Sequence, residues 1–332
     1  MDAQERFGEL RSLANGAPSE EAWASICALL DQEGDDDRLI EEVLPYLEHH
    51  LSDWPEGARE IPKEWMRVML KGEPCTRARL GRKMSAVRAE EEGDLDMLLS
   101  SPDLGALTWL DLGYNHFDER ALRILEEETH LTSLRWLSVS DSHLGHEGIV
   151  RILESPRLAN LTHFIAAWCD IENDGAVALS RTDALRRLER IEFRGNRITP
   201  PEAQTLLRGR NFDSVRELAM GWNDIADAGV EAIADAPYLG QLRELCLENN
   251  SIGGEGVEYL VRQPAIADLE ILRLYNNASA GMGDSVAVAI AESPYMSNLK
   301  LLDLSGNPVS SVGKEALAAS RYLKPEVRAA KL

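Results

Sequence analysis

Cysteine is scarce in this chain. The four residues, Cys27, Cys75, Cys169 and Cys246, form no CxxC pair and follow no regular spacing. That argues against a disulfide framework or a zinc site and points to reduced thiols. Long apolar runs are missing as well. No stretch reaches the roughly eighteen residues that a membrane-spanning helix needs. The start, MDAQERFGELRSLANG, is acidic and amphipathic rather than basic and then apolar, unlike a secretory signal. A cytoplasmic location is the expectation. Positive charge is the third shortage, with 35 Lys+Arg against 57 Asp+Glu for a formal charge of −22. Without a basic footprint, broad binding to nucleic acid or to an anionic membrane is not expected, and the acidity would suit a basic partner. Aromatic residues make up only 6% of a chain that is 44% hydrophobic, so where they stand is informative.

What is present is a repeat. Eight segments superpose: LTWLDLGYNHF from Leu107, LRWLSVSDSHL from Leu134, LTHFIAAWCDI from Leu161, LERIEFRGNRI from Leu188, VRELAMGWNDI from Val215, LRELCLENNSI from Leu242, LEILRLYNNAS from Leu269 and LKLLDLSGNPV from Leu299. Their starts differ by 27 six times and then by 30. The shared form is L-x-x-L-x-L-x-x-N-x-I/L. Two leucines flanking one variable residue mark a short strand with alternate side chains pointing inward. The ninth position holds Asn115, Asn196, Asn223, Asn250, Asn277 and Asn307, with Ser142 and Cys169 substituting. Between strands, stretches such as 147–161, 228–242 and 255–269 space apolar residues at three and four and then meet Pro156, Pro237 or Pro264, which end a helix.

This pattern resembles the leucine-rich repeat proteins, and a full helix per 27 residues resembles their ribonuclease-inhibitor type. The resemblance implies an α/β solenoid, or horseshoe, with a parallel sheet on the concave side and helices on the convex side. It also implies that the ninth side chain bonds backbone groups left unpaired where the chain turns, which gives Cys169 a structural role. The three residues that lengthen the seventh repeat fall in ASAGMGDS, around 278–284, either a rim loop used in binding or an indifferent insertion.

In this register positions 1, 4, 6, 9 and 11 point inward, and positions 3, 5, 7 and 8 project onto the concave face. Trp109, Trp136 and His163 then occupy position 3, Ile165 position 5, Tyr275 position 7, and Tyr114, Trp168 and Trp222 position 8. Four of the seven tryptophans thus fall on one surface. Trp and Tyr dominate interface energetics, so these rings read as anchors for a partner; the alternative is that they pack on one another and stiffen the sheet. Arg190, Glu192, Arg194, Glu217, Glu244, Glu248 and Arg273 share the face and would set orientation and selectivity.

Residues 1–92 carry no such strand and read as a small helical domain or cap, with the repeat domain over 93–332. Helices are expected after Ser19, over 37–54 with Pro45 kinking or dividing it, and over 61–73 from Pro62 to Gly72. The basic run TRARLGRKMSAVRA (76–89), followed by EEEGD, reads as a solvated helix face, with contact to an acidic partner as the sharper alternative. No cofactor or metal is expected: His143 and His146 lie in a turn, His49 and His50 diverge on a helix, and GMGDSV lacks the lysine of a phosphate loop. No catalytic constellation emerges. The expectation is a non-enzymatic scaffold or adaptor that grips another protein. An inhibitor or immunity protein for a basic enzyme such as a nuclease, and a regulator of a small GTPase, are the alternatives that the resemblance adds.

Overall fold

The L-x-x-L-x-L-x-x-N spacing builds the same three-residue strand each time it recurs. The computed structural model describes residues 2–33, 38–208, 212–277 and 281–328. Ala278, Ser279 and Ala280, within the insertion expected at 278–284, lie outside the described residues. The chain divides into two compact units, one of Met1–Ser138 with Ser155–Leu161 and the other of Val139–Glu154 with Thr162–Leu332.

The first unit opens with α1 (Ala3–Ala14), α2 (Glu20–Leu30), a π-helical turn (Leu39–Val43) running into α3 (Leu44–His50), and α4 (Lys63–Leu70). Their ends follow local chemistry. The Ser19 hydroxyl accepts from the Ala22 amide at 3.1 Å, Pro45 sits in the first turn of α3, and Gly72 leaves α4 at φ 75°. Then come β1 (Lys83–Met84), α5 (Asp94–Leu99), β2 (Trp109–Asp111), α6 (Glu119–Arg123) and β3 (Trp136–Ser138). The basic run is therefore not a helix. It is a 3-10 turn over Thr76–Leu80 followed by β1, which pairs in parallel with β2, Lys83 opposite Trp109 and Met84 opposite Leu110. The repeat pattern hid this strand for a physical reason. Ala86, at φ 52°, inserts one extra residue before Val87, whose amide then donates to the Asp111 carbonyl as Leu112 donates to Ser138. The far edge of β1 is covered too. The amides of Arg82 and Lys83 donate to the Arg59 carbonyl, Ile61 donates to Lys83, and the outward Glu60 carbonyl takes the Trp23 indole N–H at 2.6 Å. Covering a free strand edge removes a template for unwanted pairing.

The second unit runs α7 (Gly145–Glu154), β4 (His163–Ile165), α8 (Glu172–Leu179), β5 (Arg190–Glu192), α9 (Pro200–Leu207), β6 (Glu217–Ala219) and α10 (Ala226–Ala234). It continues with β7 (Glu244–Cys246), α11 (Gly254–Leu260), β8 (Ile271–Arg273), α12 (Asp284–Glu292), β9 (Leu301–Asp303), α13 (Ser311–Ala319) and α14 (Pro325–Arg328). Strands β4 to β9 pair in parallel in chain order, His163 opposite Arg190 and so on to Ile271 opposite Leu301. Fourth- and sixth-position side chains such as Phe164, Phe193, Leu218 and Leu247 are wholly buried between sheet and helices, each worth about 1.5–3 kcal/mol.

Asparagine closes each turn. Asn250, fully buried, accepts from the amides of Asn223 and Ile225 at 3.2 and 3.4 Å and donates to the carbonyls of Met220 and Glu248 at 2.9 and 3.2 Å. Cys169 imitates this: its thiol donates to the Val139 carbonyl at 3.1 Å, thirty residues earlier, as Asn196 does to Ala166. Replacing Asn250 by Ala strands several buried backbone groups. It should cost about 3 kcal/mol, read as a lowered urea midpoint at unchanged slope. All four cysteines are free and buried, and burial pushes Cys169 up to about 11 and Cys246 up to about 12. A thiol reagent at neutral pH should therefore label the native chain negligibly and all four sites after unfolding.

Candidate functional site

The eighth residue of every repeat, one before the asparagine position, is in the left-handed region. The φ values are 60° at Tyr114, 55° at Asp141, 57° at Trp168, 66° at Gly195, 57° at Trp222, 53° at Asn249, 56° at Asn276 and 72° at Gly306. The chain must swing sharply out of the strand here so that the next side chain can turn inward. Glycine, asparagine and aspartate take this conformation readily, whereas a bulky side chain there is an outlier. The cost to an L-residue is about 1–2 kcal/mol. Tyr114, Trp168 and Trp222 bear it without full compensating burial, being 67%, 45% and 47% exposed. Asp, Gly and Asn at the other five repeats were the signal in the sequence that this position is left-handed.

In the second unit these rings gather. Trp168 and Trp222 lie with centroids 6.0 Å apart at 53°. Gly195, at the eighth position of the repeat between them, makes room: a Cβ there would sit 2.3 Å from the Trp168 ring. Tyr275 lies beside Trp222, and its phenol is pushed up by burial and then by the nearby Glu248 carboxylate. Glu248, only 1% exposed, folds back across Gly221 to Arg194, with Nε to Oε1 at 2.8 Å. Trp168, Trp222, Tyr275, Glu248 and Arg194 thus form one cluster.

The other charges on this sheet face engage each other. Arg190 pairs with Glu217 and lies 3.7 Å from Glu192, and Arg194 reaches Glu192 at 2.8 Å. Arg273 pairs with Glu244 and contacts the Cys246 sulfur at 3.1 Å. Burial alone would raise the Glu244 carboxyl, but the Cys246 thiol and Arg273 hold it below its ordinary value. His163 is half-buried beside the Thr162 hydroxyl at 2.9 Å, and burial depresses its protonation. Ile165 is buried.

In the first unit, Trp109 and Trp136 stack flush, 3.9 Å between centroids at 13°, with the Lys83 ammonium 5.0 Å from the Trp109 ring. This pair spends its faces on each other, the packing alternative weighed from the sequence. Tyr114 stands apart, with the Arg88 guanidinium 4.9 Å from its ring. Lys83 and Arg88 belong to the basic run expected as a solvated helix face; their place beside the rings was not legible because the run does not follow the leucine spacing.

A family model described as "Leucine Rich repeat" matches residues 214–234, 242–261 and 295–318. These are leucine-rich repeats. No curated protein matches the chain. Among solved structures, the chain is similar to an internalin of Listeria monocytogenes, at 18% identity over 74% of this chain and 80% of that one, with a TM-score of 0.41. It is also similar to a chain of the TLR13–ssRNA13 complex, at 17% identity, TM-score 0.47, over 74% of this chain and 35% of that one. A chain of the yeast Rad7–Elc1 complex gives 17% identity and a TM-score of 0.36 over 86% of this chain and 84% of that one.

The packing of Trp168 on Gly195 is directly testable. Gly195→Ala should cost about 1–2 kcal/mol in urea unfolding and change tryptophan emission, through the left-handed backbone and the displaced ring. In a Trp168→Asn background the ring contribution vanishes, so a double-mutant cycle should show coupling.

Proposed function

We propose that this chain is a protein-binding scaffold or adaptor, non-catalytic, whose partner docks on the cluster of Trp168, Trp222 and Tyr275. One observation carries the reading. Two tryptophans are held in a conformation that costs energy and are left about half exposed, at a position where five other repeats use Asp, Asn or Gly. Strain of this kind persists where it serves a site, and large exposed aromatic side chains are typical interface anchors. Arg190, Arg194, Glu217, Glu244, Glu248, Arg273 and His163 would frame the anchors, and Tyr114, Trp109 and Trp136 would be a separate contact surface of the first unit. A helix after each strand, with strand partners 27 residues apart, supports the ribonuclease-inhibitor type of repeat. A cytoplasmic location would suit the four free, buried thiols, which stay reduced there.

Inhibition of a basic enzyme fits this face less well. The carboxylates of Glu192, Glu217, Glu244 and Glu248 are already engaged by arginines, so little unmatched negative charge is offered.

The test compares the intact chain with a Trp168→Asn, Trp222→Asn variant. Both substitutions suit the left-handed backbone, so stability should change by no more than about 1 kcal/mol. Affinity for a partner captured from host lysate should fall by about thirtyfold or more, as for loss of hot-spot anchors. Equal capture by both proteins would refute the proposal.

A further inference from the structure

A second surface runs against the charge of the whole. In the first unit a cleft of about 360 Å³ lies between α4 and the stretch that follows β1. Lys63, Arg67 and Lys71, four residues apart, present three exposed cations from one side of α4, and Arg88 faces them from the other wall. Met66 and Leu70, which line the same cleft, are nearly buried. In a chain of −22, four cations around one apolar floor need an explanation.

The cations are largely uncommitted. Among the described residues Lys63 and Lys71 have no ion-pair partner, and Arg67 meets Glu64 only at 4.0 Å, both side chains more than 70% exposed. Two carboxylates line the cleft, Glu90 and Asp94, and one Asp94 oxygen already accepts the amides of Glu90 and Glu91 at 3.1 and 3.0 Å. Arg88 is held in place. It donates to the Val87 carbonyl at 2.9 Å and to Gly113 at 2.5 Å, and its guanidinium lies over Tyr114. The cleft therefore leads towards Tyr114, the third ring kept in the left-handed conformation.

We infer that this cleft binds an acidic segment of a partner protein, with carboxylates on Lys63, Arg67, Lys71 and Arg88 and an apolar side chain seated on Met66 and Leu70. Charge complementarity selects the occupant: a positive cleft in an acidic protein repels basic partners and draws acidic ones. Single-stranded nucleic acid fits it less well, because among the described residues no aromatic ring lines the cleft on which a base could stack. This site is independent of the tryptophan cluster and stands or falls separately.

A random dodecapeptide display library panned on the full chain, and in parallel on a Lys63→Glu, Lys71→Glu variant of unchanged circular dichroism, tests it. The wild type should enrich peptides that combine several Asp or Glu with a large apolar residue, and the variant should not. A synthetic copy of the leading peptide, followed by fluorescence anisotropy, should bind the variant about tenfold or more weakly and lose affinity as salt rises. A Lys63→Arg, Lys71→Arg chain should retain binding, and Lys63→Gln, Lys71→Gln replaces the glutamate variant should that fail to fold. No enrichment, enrichment without acidic residues, or equal enrichment on the variant would overturn the inference. So would a single-stranded dodecanucleotide that binds the wild type more tightly than the selected peptides and is lost with the same substitutions.

Discussion

The asparagine side chain at the end of each strand is the interaction on which the rest depends. A three-residue strand is too short to carry the chain to a helix and back without leaving backbone amides and carbonyls unpaired inside the protein. Buried groups of that kind are expensive. One amide side chain bonds to its own repeat and to the previous one at once, as Asn277 does with Leu274 and Leu247. The same side chain takes the amides of Asn250 and Ile252. Each repeat is thereby tied to its neighbour by side-chain bonds as well as by the strand ladder, and Cys169 shows that a thiol can stand in for part of this.

That constraint also creates the candidate site. Turning the ninth side chain inward forces the eighth residue into left-handed backbone, and this projects its side chain out from the strand end. The position is cheap for Gly, Asn or Asp and costly for a ring. Trp168 and Trp222 therefore stand where structural economy would not put them, while Trp109 and Trp136, on ordinary strand backbone, simply stack. Four tryptophans that look equivalent as a pattern separate into two pairs with different physical status.

The charged residues separate in the same way. On the sheet face of the second unit, arginines and glutamates neutralise each other, as Arg190 does with Glu217 on the neighbouring strand and Arg273 with Glu244. Around α4 in the first unit, four cations collect with only two carboxylates, Glu90 and Asp94, lining the same cleft. A net charge summed over the whole chain describes neither surface, because local fields fall off over about 10 Å in salt.

The sequence by itself determined the repeat, the strand at each L-x-L, the helices that end before Pro156, Pro237 and Pro264, and the inward asparagine column. All of these follow from local spacing and from backbone groups that must be satisfied wherever the chain turns. Only the tertiary structure decided which outward residues meet. The bulged strand at Lys83–Met84, the packing of Trp168 over Gly195, the approach of the Trp168 and Trp222 rings and the cleft beside α4 each depend on residues tens of positions apart. Periodicity places a side chain on a face. Packing, backbone strain and the charges of neighbouring strands determine whether it is spent there or left for a partner.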